Sequence, residues 1–337
     1  MSPTRSAARK VKLGYAVSSE EHRPLDLVRN TAAAEEAGFD FAMVSDHFHP
    51  WIDRQGQAPF VWSVLGAMAN ATERIPIGTG VTCPTIRIHP AILAQAAATM
   101  GELLPDRFWF GVGTGENLNE HVLGDRWPAH GERAAMLEEA VEVIRELWKG
   151  KLTNMDTPHY RVVNATIYTR PKTPPPIYVA ASGPESAALA GRIGDGLITT
   201  SPTAELVDAF RKAGGRGKPL IGQVSVCWAK SQAEARRTAL DWWPTAAIPG
   251  QNGQELPMPS HFEELATMVT EDDVAKQMPC GPDPESHLAK INEFVDAGFD
   301  HVYIHQVGPD QAGFLRFARQ SILPAFERRS AGRGAAA

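Results

Sequence analysis

Residues 39–51 read FDFAMVSDHFHPW, an apolar run that ends in an aspartate, a histidine and a proline. The part from Phe39 to Ser45 predicts a buried strand, and Pro50 ends it because proline has no backbone N–H to donate. Histidine is the side chain best suited to exchange a proton near neutral pH. The stretch therefore predicts a strand that delivers Asp46 and His47 to a surface where chemistry takes place.

Strand-like and helical segments alternate along the whole chain. The predicted strands are residues 11–17, 39–45, 75–81, 108–112, 177–181, 196–200, 220–228 and 301–305. Helices are predicted at residues 25–37, 61–71 and 133–148, and from Pro90, Pro184, Ala204, Gln232 and Gly313 onward. Such alternation is typical of parallel βαβ units. In 337 residues it favours a closed (β/α)8 TIM barrel over the alternative, an open doubly wound sheet.

Two segments interrupt this alternation, after the fourth and the seventh strands. Residues 151–172 are rich in Tyr, Thr and Asn and predict a small hairpin, and residues 249–268 predict a loop or lid over the barrel mouth. Neither is long enough to be a domain. We therefore predict a flexible N-terminus at residues 1–10, a single barrel domain at 11–327 and a disordered tail at 328–337.

Composition excludes several classes of function. The net charge of −6 does not favour nucleic-acid binding, and no apolar run approaches the roughly 20 residues of a membrane helix. No apolar segment follows the first residues, so we expect no secretory signal and a cytoplasmic protein. Cys83, Cys227 and Cys280 are too far apart to predict a disulfide framework or a zinc site. These features predict a globular enzyme that acts on a small molecule.

The active sites of (β/α)8 barrels lie at the carboxyl ends of the strands. Here polar groups or glycines follow every predicted strand except the seventh, so we expect a large concave polar site. The stretch at residues 182–186, SGPES, opens a helix after the fifth strand, and exposed amides there could hold a phosphate, with an ordinary turn as the alternative. Together these features predict a flat, anionic ligand that lies across several strand ends.

Each candidate residue also has a structural interpretation. His47 could be a buried core histidine, Glu116 could cap the helix that follows it, and Trp51 could pack within a lid. Cysteine is more often a small buried apolar residue than a nucleophile, so Cys83 could be structural. The stretch GVGTG at residues 111–115 lacks the spacing of a dinucleotide fingerprint, and its glycines would let a planar group approach the backbone.

Three motifs together resemble a known family. They are SDHFHPW at residues 45–51, GVGTGE at 111–116 followed by LNE at 118–120, and AGRIGDG at 190–196. This set is similar to the coenzyme F420-dependent glucose-6-phosphate dehydrogenase group of the luciferase-like (β/α)8 oxidoreductases. The likeness extends from about Lys12 to Phe326.

The resemblance implies hydride transfer from an alcohol carbon to the deazaflavin ring of coenzyme F420, without a metal, in a homodimer. It also implies a non-prolyl cis peptide near Gly80 and Val81. The implied catalytic residues are His47, which takes the hydroxyl proton, Glu116, which acts on the reduced ring, and Trp51. The implied cofactor-binding residues are Asp46, Gly80, Val81, Cys83, Asn119, Ser182, Gly183, Pro184 and Glu185. The implied substrate-binding residues are Glu20, Trp51, Thr200, Thr203, Lys276 and Asp300.

Departures from the family pattern concern the substrate. Thr203 stands where the sugar-phosphate enzymes have a lysine, Lys276 matches a second phosphate-binding lysine, and Asp300 is an acid where a basic contact would help. A dianionic phosphate favours charge-assisted partners. We therefore expect oxidation of a sugar 6-phosphate or a related secondary alcohol, with F420-dependent oxidation of a non-phosphorylated alcohol or reduction of a ketone as the alternative.

Three other functions remain as alternatives. A flavin-dependent luciferase-like monooxygenase would use the same barrel. A metal-dependent barrel hydrolase would use the H-x-H pair His47 and His49 together with His305. A non-catalytic deazaflavin carrier would bind the cofactor without turnover.

Overall fold

Eight parallel strands close into a barrel in the computed structural model, which describes residues 11–328. The described residues form ten strands in all: β1 (Lys12–Val17), β2 (Phe41–Val44), β3 (Ile77–Thr79), β4 (Phe108–Val112), β5 (Thr153–Asp156), β6 (Arg161–Ala165), β7 (Ile177–Ala180), β8 (Gly196–Thr199), β9 (Leu220–Val226) and β10 (His301–Gln306). The barrel follows chain order, β1-β2-β3-β4-β7-β8-β9-β10, and β10 pairs with β1 to close it. Strands β5 and β6 form a separate antiparallel hairpin.

Helices follow the barrel strands in the alternation expected of a (β/α)8 fold. They are α1 (Pro24–Ala37), α2 (Val61–Ala71), α3 (Pro90–Leu103), α4 (Asn117–Glu120), α5 (His130–Trp148), α6 (Pro184–Ile193), α7 (Ala204–Phe210), α8 (Gln232–Trp242), α9 (Asn252–Glu255), α10 (Pro259–Ala266), α11 (Glu271–Gln277), α12 (Pro284–Asp296) and α13 (Gln311–Phe317). Single 3-10 turns occur at His121–Leu123 and Pro244–Ala247, and π-helical turns extend α7 and α13 at Arg211–Gly215 and Ala318–Ile322.

Local sequence explains where these helices begin and end. Proline occupies the first turn of α1 and α3, where a missing N–H costs nothing. Helix α1 ends at Gly38, whose φ of 100° lies in the left-handed region and whose N–H bonds the carbonyls of Ala34 and Glu35. Helix α12 was not predicted from the sequence. Its N-cap is Asp283, whose carboxylate accepts from the N–H groups of Glu285 and Ser286.

The barrel interior and the layer between barrel and helices form separate apolar clusters. The interior cluster consists of Phe41, Met43, Trp109, Ile198, Ile221 and Tyr303. The larger cluster packs the outer faces of the strands against the surrounding helices. Because both faces of each strand are covered, the strands read as nearly continuous apolar runs.

The predicted (β/α)8 fold is confirmed, and the predicted hairpin lies where expected, within residues 151–172. The segment at 249–268, predicted to be a loop or lid, contains helices α9 and α10, and its Gln254 lines the cavity at the barrel mouth. The N-terminal and C-terminal segments predicted to be flexible lie outside the described residues, apart from Arg328. Within the described part of the chain, no helix is both long and apolar enough to cross a lipid bilayer.

Candidate active site

A cavity of about 290 Å³ opens at the carboxyl ends of the barrel strands, where the sequence predicted a site. On the side of β3, β4 and β7 its wall includes residues with small side chains or none, Gly80, Val81, Gly113, Ala180 and Ala181, beside Thr114 and Glu116. On the side of β1 and β2 its wall is polar and includes Ser18, Glu20, Ser45 and His47. The cavity therefore has one wall with few bulky side chains and one wall rich in hydrogen-bonding groups.

His47 and Glu20 form a buried pair on the polar wall. The Nε2 atom of His47 lies 3.2 Å from Oε1 of Glu20, and both side chains are less than a tenth exposed. Ser45 Oγ and Ser18 Oγ donate to Oε2 of Glu20 at 2.6 and 2.9 Å. These contacts fix the carboxylate against the histidine ring.

The environment of Glu20 keeps it ionised. Burial by itself would raise its pKa, but the charge of His47 and the hydrogen bonds from Ser45 and Ser18 outweigh burial, and the pKa of Glu20 lies below its ordinary value. Glu20 thus places a negative charge beside the ring of His47.

Asn119 connects His47 to Glu116, which lines the cavity at the end of β4. Its Oδ1 accepts from the backbone N–H groups of Phe48 and His49 at 2.9 and 3.2 Å, which fixes the orientation of the amide. Its Nδ2 then lies 3.2 Å from Nδ1 of His47 and 3.3 Å from Oε2 of Glu116. Asn119 itself is buried behind the cavity and holds these two groups in place.

Asp46 lies next to His47 in sequence but points away from the cavity. Its Oδ2 accepts from Thr82 Oγ1 at 2.7 Å, and its Oδ1 lies 2.9 Å from Nη2 of Arg87. Arg87 also donates its backbone N–H to Glu120 at 2.8 Å. Burial raises the pKa of Glu120 to about 7, while Arg87 opposes this shift without cancelling it. The predicted contact of Asp46 with a cofactor stays a prediction.

The loop after β3 contains the non-prolyl cis peptide that the family resemblance implied, between Gly80 and Val81. Both residues line the cavity. Cys83, further along the same loop, is buried and does not line the cavity; its Sγ lies 2.9 Å from Thr85 Oγ1. Burial holds the pKa of its thiol well above the ordinary value. The structure therefore does not favour Cys83 as a nucleophile.

The start of helix α6 contributes Ser182 and Ser186 to the cavity. Ser186 Oγ accepts from the backbone N–H groups of both Ser182 and Gly183 at 3.2 Å. A side chain at Gly183 would meet no atom within 4 Å, so the space beside this helix start is open. Pro184 and Glu185 form the first turn of α6 and do not line the cavity.

The predicted substrate residues separate into two groups. Thr200, Glu20 and Trp51 line the cavity. Thr203, Lys276 and Asp300 do not: Thr203 is exposed before α7, and Lys276 is exposed on α11 with Nζ 2.9 Å from Asp273. Asp300 precedes β10 at the opposite end of the barrel, where it accepts from the N–H of Leu220 at 3.0 Å.

A second pair of histidine and glutamate was missed by the sequence analysis. His305, at the end of β10, lines the cavity and lies 2.9 Å from Oε2 of Glu21, whose Oε1 accepts from the N–H of Gly308 at 2.8 Å. The ring of Trp243, from the segment after α8, contacts His305 at a centroid distance of 4.5 Å. The consecutive acids Glu20 and Glu21 were the available signal, since each holds one cavity histidine.

The side chains of His49 and His47 point to different places and do not converge on one site. Its Nδ1 lies 2.8 Å from the carbonyl of Leu118, and its ring stacks on that of His121. Within residues 11–328, no group of three or more His, Cys, Asp or Glu side chains is placed to hold a metal ion.

Comparisons with known proteins place this geometry in a family. A family model described as luciferase-like monooxygenase matches residues 9–301. The F420-dependent glucose-6-phosphate dehydrogenase of Nakamurella multipartita is 40% identical over 327 residues, which are 93% of this chain and 96% of that protein. The protein of the same description from Beutenbergia cavernae is 38% identical, over 95% of this chain and 98% of that protein.

Solved structures with the same fold include those of two F420-dependent enzymes. An F420-dependent secondary alcohol dehydrogenase in complex with an F420-acetone adduct superposes with a TM-score of 0.87 at 30% identity, over 94% of this chain and 99% of that one. The F420-dependent tetrahydromethanopterin reductase of Methanopyrus kandleri superposes with a TM-score of 0.77 at 21% identity, a likeness that shows the fold alone.

Proposed function

We propose that this chain, which belongs to the luciferase-like monooxygenase family, is a coenzyme F420-dependent dehydrogenase that oxidises the CH–OH group of an alcohol. The observation that carries the proposal is the buried pair of His47 and Glu20, which lines the same cavity as a group of small residues. The relatives named above, at 38–40% identity over most of the chain, are F420-dependent dehydrogenases. The secondary alcohol dehydrogenase structure at 30% identity supports the same reaction class.

The residues at the cavity fit a deazaflavin nucleotide. Gly80, Gly113, Ala180 and Ala181 leave a surface without bulky side chains, against which a planar ring can lie. The open space at Gly183 adjoins the start of α6, where the partial positive charge of the helix favours an anionic group. Ser182 and Ser186 would hold the phosphate end and Val81 would contact the ring.

The bound deazaflavin would supply the acceptor for a hydride from the alcohol carbon. The protein must then remove the hydroxyl proton, and His47 and Glu20 form the unit that takes it up. Because Glu20 stays ionised, the positive charge that forms on His47 is stabilised where it develops. Glu116, held by Asn119 on the β4 side, provides a second group for proton exchange.

Trp51 and the segment after α8 restrict the access of water to His47. The Trp51 ring lies 5.1 Å from the His47 ring and makes an edge contact with Phe262 of α10 at 5.2 Å. Trp51 thereby links the histidine to the insertion that covers the barrel mouth. Water exclusion strengthens the electrostatic interaction of His47 and Glu20.

The decisive experiment compares the wild type with His47→Ala in F420 binding and in turnover. Binding is measured by quenching of protein fluorescence and turnover by the loss of oxidised F420 absorbance with an alcohol. We expect His47→Ala to bind F420 and to lose about 10²- to 10⁴-fold in kcat, because a positioned base typically contributes that factor. Trp62→Phe, outside the cavity, is the matched control. An unchanged kcat in His47→Ala would instead indicate a different base, and F420 binding without turnover in the wild type would indicate a carrier.

The same assay separates this function from that of a flavin-dependent monooxygenase. The proposal requires reduction of F420 by an alcohol and no reduction of FMN under the same conditions. Candidate substrates are sugar 6-phosphates, related secondary alcohols and non-phosphorylated alcohols or ketones.

We also propose that the protein is a homodimer in the cytoplasm. The exposed apolar side chains of Phe48 and Leu123 support the dimer: Phe48 packs edge-on against His49, which stacks on His121 in the turn that also contains Leu123. Light scattering of the purified protein measures the assembly directly. A monomeric mass at micromolar concentration would contradict the dimer.

A further inference from the structure

We propose that the substrate is an uncharged alcohol with an apolar carbon skeleton and without a phosphate group. This inference rests on the dehydrogenase function proposed above and specifies its substrate class. It follows from the charges that face the cavity, from the partners of the nearby cations and from the aromatic side chains at the cavity mouth.

The charged groups at the cavity are mainly acidic. Glu20 and Glu116 line it, and Glu21 lies directly behind His305. Among the described residues that line the cavity there is no lysine and no arginine. A phosphate dianion would meet at least one ionised carboxylate in a partly buried site, without a charge-assisted donor to offset its lost hydration.

Two buried cations whose partners adjoin the site, Arg87 and Arg133, are already engaged. Arg87 pairs with Asp46 and contacts Glu120, and its side chain is almost fully buried. Arg133 donates to the carbonyl of Pro128 at 2.6 Å, and its guanidinium lies 4.1 Å from the Trp127 ring. Neither guanidinium can reach a substrate without breaking these contacts.

Two of the three histidines that line the cavity do not replace the missing cations. Nε2 of His47 faces Glu20, and Nε2 of His305 faces Glu21. Each imidazole is therefore paired with a carboxylate, so the two pairs together bring no net positive charge to the cavity. His130, at the start of α5, is the third histidine that lines it.

The remaining surface near His47 suits carbon skeletons. Trp51 and Trp243 line the cavity, and Trp243 is held by its contact with the ring of His305. Tyr303 also lines it, with its hydroxyl donated to Gln223 Oε1 at 2.7 Å. Such faces bind apolar or weakly polar groups through burial of area.

The test compares substrates that differ in the phosphate alone. Glucose and glucose 6-phosphate, with cyclohexanol as an apolar probe, are titrated into the F420-loaded protein. Binding is read from tryptophan fluorescence, and turnover from F420 absorbance. We expect glucose 6-phosphate to bind at least about tenfold more weakly than the tighter of the two uncharged compounds, because it must bury an unpaired dianion. Any smaller difference, or a reversal, overturns the inference.

A designed cation supplies the converse test. Thr200 is exposed and lines the cavity, so Thr200→Lys adds a positive charge at the mouth, and Thr200→Gln adds a polar side chain without the charge. We expect Thr200→Lys, and not Thr200→Gln, to tighten glucose 6-phosphate binding by roughly tenfold. Failure of F420 to bind the wild type would sink the dehydrogenase function, whereas F420 binding with a preference for glucose 6-phosphate would sink the substrate class alone.

Discussion

Asp46 and His47 show how far neighbouring residues can differ in role. Successive side chains of an extended segment point to opposite sides. His47 therefore faces the cavity and Glu20, while Asp46 faces Thr82 and Arg87 in the protein interior. The sequence predicted that both residues lie at a strand end, and the alternation explains why they do not form a pair with each other.

At the residue scale, Glu120 predicts how the stability of the folded protein depends on pH. Burial raises its pKa from 4.5 to about 7, so between these values the folded protein keeps a proton that the unfolded chain has released. The contribution of Glu120 to stability is therefore full at low pH and is lost as the pH rises toward 7. One pKa unit is worth about 1.4 kcal/mol, so the loss is roughly 3 kcal/mol at most.

The measurement compares the wild type with Glu120→Gln, in which the titrating group is absent. Free energies of unfolding by urea are determined at pH 5 and pH 8 for both proteins. We expect the wild type to lose more stability than the variant over this interval. If the free energy of unfolding changed equally with pH in the two proteins, the raised pKa of Glu120 would be refuted.

At the scale of elements, the barrel strands were predicted well and the helices after α8 were not. Strand β4 begins and ends where predicted, and the others differ by up to two residues at an end. Long apolar runs between helices identify strands because both of their faces are buried. Helices α9, α10 and α11 have only four, eight and seven residues, too few for their periodicity to stand out in the sequence. Their positions depend on packing, as in the contact of Phe262 with Trp51.

Gly111 in β4 tests the close packing of the strands. A Cβ atom there would lie 1.9 Å from the carbonyl oxygen of Thr79 in β3, so the two backbones would have to separate. We expect Gly111→Ala to destabilise the protein by about 3 kcal/mol or more, at the upper end of the cost of overpacking.

The control is Gly131 in α5. A Cβ at Gly131 would meet nothing within 4 Å, so Gly131→Ala should be neutral or stabilising by up to about 1 kcal/mol. Urea unfolding of both variants checks this, and equal stabilities would refute it.

At the scale of the whole molecule, the three cysteines report whether the barrel unfolds as one unit. Cys83 follows β3 and Cys227 follows β9, and both are buried, while Cys280 is half-buried. Burial raises the pKa of the Cys280 thiol to about 11, so even this thiol should react slowly with a disulfide reagent.

If residues 11–327 are a single cooperative domain, Cys83 and Cys227 become reactive at the same urea concentration. The measurement is thiol labelling across a urea series, with each site identified by mass spectrometry of peptides. The far-ultraviolet circular dichroism transition serves as the control. Separate midpoints for the two cysteines would indicate two units in place of one.

The sequence by itself determined the (β/α)8 alternation and the strand ends at which polar groups collect. Both are local properties, set by apolar periodicity and by the residues that stop each strand. The tertiary structure decided which of these groups meet. Glu21 reaches His305 across 284 positions of the chain, and Asn119 reaches His47 across 72. The pair of Glu21 and His305 forms only when β10 closes the barrel against β1, and the pair of Asn119 and His47 only when β3 pairs with both β2 and β4, because strand pairing fixes the register that brings distant strand ends together.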